Sequence, residues 1–142
     1  MKKENTYIQA KPEAGKRFFQ KFQNKGKVCM LNLLKFKNKA EYDQEEFEKD
    51  MSGKEAYQMY MNNVRPELIS IGSKLIFLGY CSEFLIGPEH EKWDAVLLVE
   101  YPSVNEFLAF SQSKSYLDNV KHRNAALADS RLLPIKKNQD LL

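Results

Sequence analysis

Eight side chains in this sequence have the chemistry of a binding or reaction site: Asn32, Tyr57, Tyr60, Trp93, Tyr101, His122, Arg123 and Arg131. His122 leads them, because an imidazole changes charge near neutral pH without help from its surroundings and can serve as general acid or base. Asn32 stands inside the apolar run Val28-Cys29-Met30-Leu31-Asn32-Leu33-Leu34, where an amide must find hydrogen bonds or cost a few kcal/mol. His122 and Asn32 are the candidate catalytic residues. Tyr57, Tyr60, Trp93, Tyr101, Arg123 and Arg131 combine apolar bodies with polar tips, the mixture that lines small-molecule sites, and are the candidate ligand-binding residues. Five of them also have a purely structural reading. Asp118 lies four residues before His122 and offers it an intrahelical partner. Asn32 can bond to a neighbouring strand or a helix cap, and Trp93 and Tyr101 can anchor a core or an interface. Arg131 is expected to bind an anionic substrate or to pair across the sheet with Asp94 or Glu100, rather than with Asp129. The two histidines and two cysteines show no zinc spacing, so no metal is expected. Glycine-rich phosphate loops and nucleophile elbows are absent from the sequence, which argues against nucleotide binding and serine hydrolysis.

Those residues need elements to hold them. The chain has 142 residues, 43% hydrophobic and 29% charged, which fits one compact soluble domain able to offset its chain entropy without staples. A net charge of +3, from 22 basic and 19 acidic residues of mixed order, is too mild to imply a nucleic-acid partner. Cys29 and Cys81 stand apart in apolar, strand-like runs, as buried free thiols of a reducing compartment do. The polar start Met1–Tyr7 is no signal peptide, and no apolar run approaches the roughly 20 residues that cross a bilayer. A cytoplasmic location without a membrane partner is therefore expected.

Pro12 to Gln23 reads as an amphipathic helix with Ala14, Phe18 and Phe22 on one side, stopped by Gly26 and docked on the core as an accessory. Lys27 to Phe36 is a strand apolar on both faces. Lys37 to Asp50 is an acidic connection with a short helical turn, anchored by Tyr42 and Phe47. Ser52 and Glu55 form a capping box that opens a long helix, kinked at Pro66 and closed by Gly72. A strand follows over Lys74–Ile86, with Gly79 as its bulge, then a turn at Gly87–Glu91 and a third strand over Lys92–Tyr101. Ser103 and Glu106 form a second capping box, and a further helix from Ser113 to about Asn124 turns Tyr116, Leu117 and Val120 inward. Ala125–Lys137 passes into a last strand. The domain organisation is an N-terminal extension over 1–26, one domain over 27–137, and a frayed tail over 138–142.

The order strand, helix, strand, strand, helix, strand is the split βαβ, ferredoxin-like arrangement: an α+β fold with a four-stranded antiparallel sheet and helices on one face. The other face would expose more apolar surface than monomers tolerate, and a second copy packed sheet to sheet is the simplest cover. A homodimer through the sheet face is expected.

Four segments resemble the DUF1330 family: Met30-Leu31-Asn32-Leu33-Leu34-Lys35-Phe36; Glu55-Ala56-Tyr57-x-x-Tyr60; Trp93-Asp94-Ala95-Val96 with Val99-Glu100-Tyr101-Pro102-Ser103; and His122-Arg123-x-Ala125-Ala126-Leu127-x-Asp129-Ser130-Arg131-Leu132. The likeness runs from about Lys27 to Leu133 in the family's order. It implies the dimeric α/β barrel superfamily, in agreement with the pattern above, and no common reaction. Two classes of function stay open. One is a small enzyme acting on an apolar or aromatic metabolite in a pocket between sheet and helices, either a cofactor-independent monooxygenase or isomerase, or a haem-degrading monooxygenase with His122 as axial ligand, since the superfamily includes haem enzymes that combine Asn, Trp and His. The other is a non-catalytic dimer that holds a small ligand. No cofactor is expected unless the haem reading applies.

Overall fold

A computed structural model describes residues 5–43 and 50–137 of the chain. The elements run α1 (Pro12–Phe22), β1 (Val28–Phe36), α2 (Gly53–Ser70), β2 (Lys74–Tyr80), β3 (Ala95–Tyr101), α3 (Val104–Ser111), α4 (Lys114–Ala126) and β4 (Leu127–Ile135). The four strands form one antiparallel sheet in the order β2-β3-β1-β4. This is the ferredoxin-like α+β fold expected from the element order, with the extra helix α1 ahead of it. Phe47 and the tail over 138–142 lie outside the described residues.

Local chemistry sets the boundaries. Ser52 and Glu55 complete their capping box, with Glu55 N–H donating to Ser52 Oγ and Ser52 N–H to Glu55 Oε1, each at 3.1 Å. α2 then runs through Pro66 to Ser70, and Gly72 takes the left-handed φ of 82° that ends it. Gly53 is fixed by space: a Cβ there would fall 2.6 Å from Ala126 O and closer still to Lys37 O. The second cap is simpler than expected, with Ser103 Oγ accepting from Glu106 N–H.

One face of the sheet makes the core. Met30 and Leu34 of β1 and Ala95, Leu97 and Val99 of β3 are buried against Ala56, Tyr57, Tyr60, Val64 and Leu68 of α2. The register lines up Phe77, Leu98, Leu31 and Leu133 in a single apolar row across all four strands on the opposite face. Phe77 and Leu133, at the two ends of that row, remain 58% and 56% exposed. α1 docks on the core side, its Phe18 ring meeting Phe107 edge-on at 5.5 Å. The segment before it is tied to β4 and α4, because Tyr7 N–H donates to Asp129 and Arg123 donates to Ile8 O.

Several details depart from the sequence reading. β2 ends at Tyr80 rather than Ile86: past it two backbone hydrogen bonds, Cys81 N–H to Asp94 O and Trp93 N–H to Ser82 O, and an isolated bridge of Glu83 with Lys92 continue the contact, and Leu85 and Ile86 stand out in solvent. The irregularity of β2 lies between Leu75 and Phe77, not at Gly79, whose missing Cβ leaves room for the Phe77 ring. On α4, Leu117 points outward and His122, Ala125 and Ala126 take the buried positions. Cys81 is exposed rather than buried. Among the described residues, no helix is long and apolar enough to cross a membrane.

Candidate functional site

The outer flank of α2 does not reach the edge strand, and a cavity of about 270 Å³ opens between them. Its floor is Leu34 and Phe36 of β1 with Ala95 and Leu97 of β3, and β2 contributes Leu75, Leu78 and Tyr80. From α2 come Lys54, Tyr57, Gln58, Met61, Asn62 and Arg65. Their spacing of three and one repeats because residues three and four apart share one side of a helix. Tyr57 closes the back, its ring 5.6 Å from Phe36 and 5.5 Å from Tyr60. The Lys54 ammonium lies 4.4 Å above the Tyr80 ring.

Behind Tyr57 the helices enclose a group of phenols. Tyr60 meets Tyr116 edge-on at 6.3 Å, and Tyr101 packs on Phe107 and Phe110 at 5.1 and 6.3 Å. Burial pushes the Tyr57 hydroxyl up to about 12, with the nearby Arg123 charge pulling partly the other way. Burial raises Tyr60 and Tyr101 as well, helped by the neighbouring phenols. All three therefore stay neutral at physiological pH and can donate hydrogen bonds but not act as bases. The fully enclosed side-chain polar atoms without a partner among the described residues are Ser73 Oγ and Asn124 Oδ1, and the three phenol hydroxyls are not among them.

The structure brings four of the eight sequence candidates together: Tyr57, Tyr60, Tyr101 and Arg123, linked by burial and by mutual electrostatics. The other four go elsewhere. Asn32 lies on the same sheet face, but its Nδ2 donates to Met30 O at 3.3 Å and Leu97 O at 3.2 Å, which is the structural role foreseen for it. His122 shares a 2.7 Å hydrogen bond between its Nδ1 and the Tyr42 hydroxyl, while Asp118 pairs with Lys114 at 2.5 Å and so is not the partner expected for it. Burial, with a smaller contribution from Lys121, lowers the His122 pKa and favours the neutral ring. Arg131 bridges to Asp129 at 2.7 Å, against expectation; residues two apart on a strand share a face, so the pair is a natural one. Its guanidinium is sandwiched between Tyr7 and Trp93 at 4.8 and 4.9 Å, and Trp93 Nε1 donates to Glu91.

Asn32, Trp93 and His122 all stand outside the cavity lining. Among the described residues, no three His, Cys, Asp or Glu side chains cluster as metal ligands would. The sequence reading missed Lys54, Gln58, Asn62 and Arg65. Their signal was available, as a polar stripe on the flank of α2 beside Tyr57, but such a stripe ordinarily marks a solvated face.

The family model for "Domain of unknown function (DUF1330)" matches residues 47–135, more than half of the chain. The chain belongs to the DUF1330 family. This DUF1330 protein is 33% identical to the RPA0582 protein of unknown function from Rhodopseudomonas palustris, known from two crystal structures. With the methylated form the TM-score is 0.87, over 96% of this chain and 98% of that one; with the other it is 0.85, over 95% and 99%. The fold alone is shared more widely. A dimeric ferredoxin-like protein of unknown function from Bacteroides fragilis matches at 13% identity and TM-score 0.50, over 82% of this chain and 99% of that one. The hydroxynitrile lyase of Passiflora edulis matches at 13% identity and TM-score 0.51, over 82% and 97%. No curated protein matches the chain.

Proposed function

We propose that this DUF1330 protein is a homodimer that binds a small apolar or aromatic molecule in the cavity between α2 and the edge of the sheet. The observation that carries the reading is the cavity's composition: an apolar floor of Leu34, Ala95 and Leu97, the rings of Phe36, Tyr57 and Tyr80, and amide and cationic groups confined to one helix. Its 270 Å³ falls just under the roughly 300–1,000 Å³ of pockets for drug-sized ligands, which favours a single-ring or fused-bicyclic molecule.

Binding is supported more strongly than acid–base catalysis. The described lining contains no carboxylate, histidine or cysteine, and the inner of its two phenols, Tyr57, is held protonated by burial. His122, the best base by residue type, is engaged with Tyr42 outside the cavity. The dimer is supported by the apolar row Phe77-Leu98-Leu31-Leu133 on the bare sheet face, which can meet its own copy across a two-fold axis.

A thermal-shift screen of small aromatic probes (substituted benzenes, indoles and naphthalenes) against wild type and Leu78→Trp tests the reading. Leu78 is 56% exposed at the cavity wall, so the larger ring is tolerated by the fold and enters the cavity. Probes that raise the wild-type Tm should lose most of their effect in the variant. Equal shifts in both proteins would place binding elsewhere.

A further inference from the structure

We propose that the occupant of the α2–β2 cavity is an organic anion: an aromatic or aliphatic carboxylate whose apolar body lies on the strand floor and whose charged end is gripped by Arg65, with Lys54 adding positive field. The proposal rests on the cavity reading above and gives the ligand its chemical class.

The charge of the lining points one way. Lys54 and Arg65 are its two ionised side chains, and no acidic residue is among the thirteen that line the cavity. Neither cation is neutralised by a described neighbour. The salt bridges among the described residues are Lys27–Glu100, Lys37–Glu41, Lys114–Asp118 and Arg131–Asp129; most described bases have none, and what sets Lys54 and Arg65 apart is their place over an apolar floor without a carboxylate. Lys54 instead rests on the Tyr80 ring at 4.4 Å, and Arg65 has no hydrogen bond or ion pair to another described residue. Two open cations over an apolar floor suit a molecule with an apolar body and an anionic end.

The two cations have different parts. They are eleven positions apart on α2, about 16 Å along the axis at 1.5 Å per residue, so they bracket the cavity rather than share one point. Arg65 carries a planar fork that matches a carboxylate bidentately, whereas Lys54 is a point charge already settled on an aromatic face. Gln58 and Asn62 lie between them as neutral donors. Arg123, close enough behind Tyr57 to act on its hydroxyl, adds a third positive charge on the inner side.

The site is half open, so the selectivity should be moderate: about 5- to 10-fold, between an exposed ion pair and a well-buried charge-assisted hydrogen bond. Isothermal titration with naphthalene-2-carboxylate and its neutral isostere naphthalene-2-carboxamide measures it in wild type, Arg65→Gln and Leu78→Trp. Wild type should prefer the carboxylate by that factor. Arg65→Gln should reduce the preference to near one by weakening the carboxylate more than the amide, and raising the salt should weaken only the carboxylate. Equal affinity in wild type, or a preference undiminished in Arg65→Gln, overturns the anion assignment; if Leu78→Trp then still abolishes binding of both probes, the cavity reading stands without it. Binding of neither probe, or binding indifferent to Leu78→Trp, overturns both.

Discussion

Truncating Leu133 tests whether the bare sheet face is an interface. Leu133 ends the row that begins at Phe77, and in a single chain 56% of its surface is exposed. Leu133→Ala in a lone chain therefore forfeits less than half of the about 1.5–3 kcal/mol that full burial of a leucine is worth, or roughly 1 kcal/mol. If a second copy covers the face, the side chain becomes a core residue and its truncation costs about 2–5 kcal/mol. The difference, at least about 1 kcal/mol per copy, counts twice across a two-fold axis, so the dimer Kd should rise by about 30-fold or more. Sedimentation equilibrium over a dilution series reads that change directly. Ile69→Ala is the control, because Ile69 is 66% exposed on α2 and lies off the sheet; it should leave Kd unchanged. A wild-type protein that stays monomeric at high concentration, or a Leu133→Ala dimer as tight as wild type, would refute the argument.

Three further outcomes follow from local geometry. Tyr60→Phe keeps the buried ring and removes a hydroxyl that is not a fully enclosed unsatisfied group, so stability in urea should change by less than about 1 kcal/mol, whereas Tyr60→Ala should cost about 3–5 kcal/mol. Gly53→Ala drives a Cβ against the carbonyls of Lys37 and Ala126 and should cost about 1–3 kcal/mol or more; Gly15→Ala, with nothing within 4 Å of its Cβ, should stabilise α1 by about 0.5–1 kcal/mol, both read by thermal unfolding. The His122 pKa is lowered in the folded chain, so the unfolded chain binds more protons between the folded value and the ordinary value of 6.5. Its stabilising contribution is complete above that window and lost as pH falls through it, and His122→Gln should flatten the slope of unfolding free energy between about pH 7 and 5.

The fold was legible because its signals are local. The Ser52–Glu55 box, the Gly72 cap and the two-faced apolar pattern of β1 each act within a few residues, and together they fix the order of elements. The end of β2 was not legible, because Leu85 and Ile86 are as apolar as the strand before them and only the lack of a pairing partner stops it. Of the eight candidates only Tyr57 lines the cavity; Tyr60, Tyr101 and Arg123 gather behind it, because α2, α4 and β3 pack around one point. The partner of His122 was misread because its neighbour in space, Tyr42, is eighty positions away, while the neighbour in sequence, Asp118, is taken by Lys114. Lys54 and Arg65 acquire meaning only once β2 is seen to stand clear of α2, a distance that no spacing within the helix records.

The most direct measurement of the central claim is a backbone amide NMR titration of the intact protein with naphthalene-2-carboxylate. Saturable shifts concentrated on the Lys54–Arg65 flank of α2 and on Leu75–Tyr80 of β2 are predicted. Shifts confined to the surroundings of His122 and Tyr42, or of Arg131 and Trp93, would contradict it, as would a titration that never saturates.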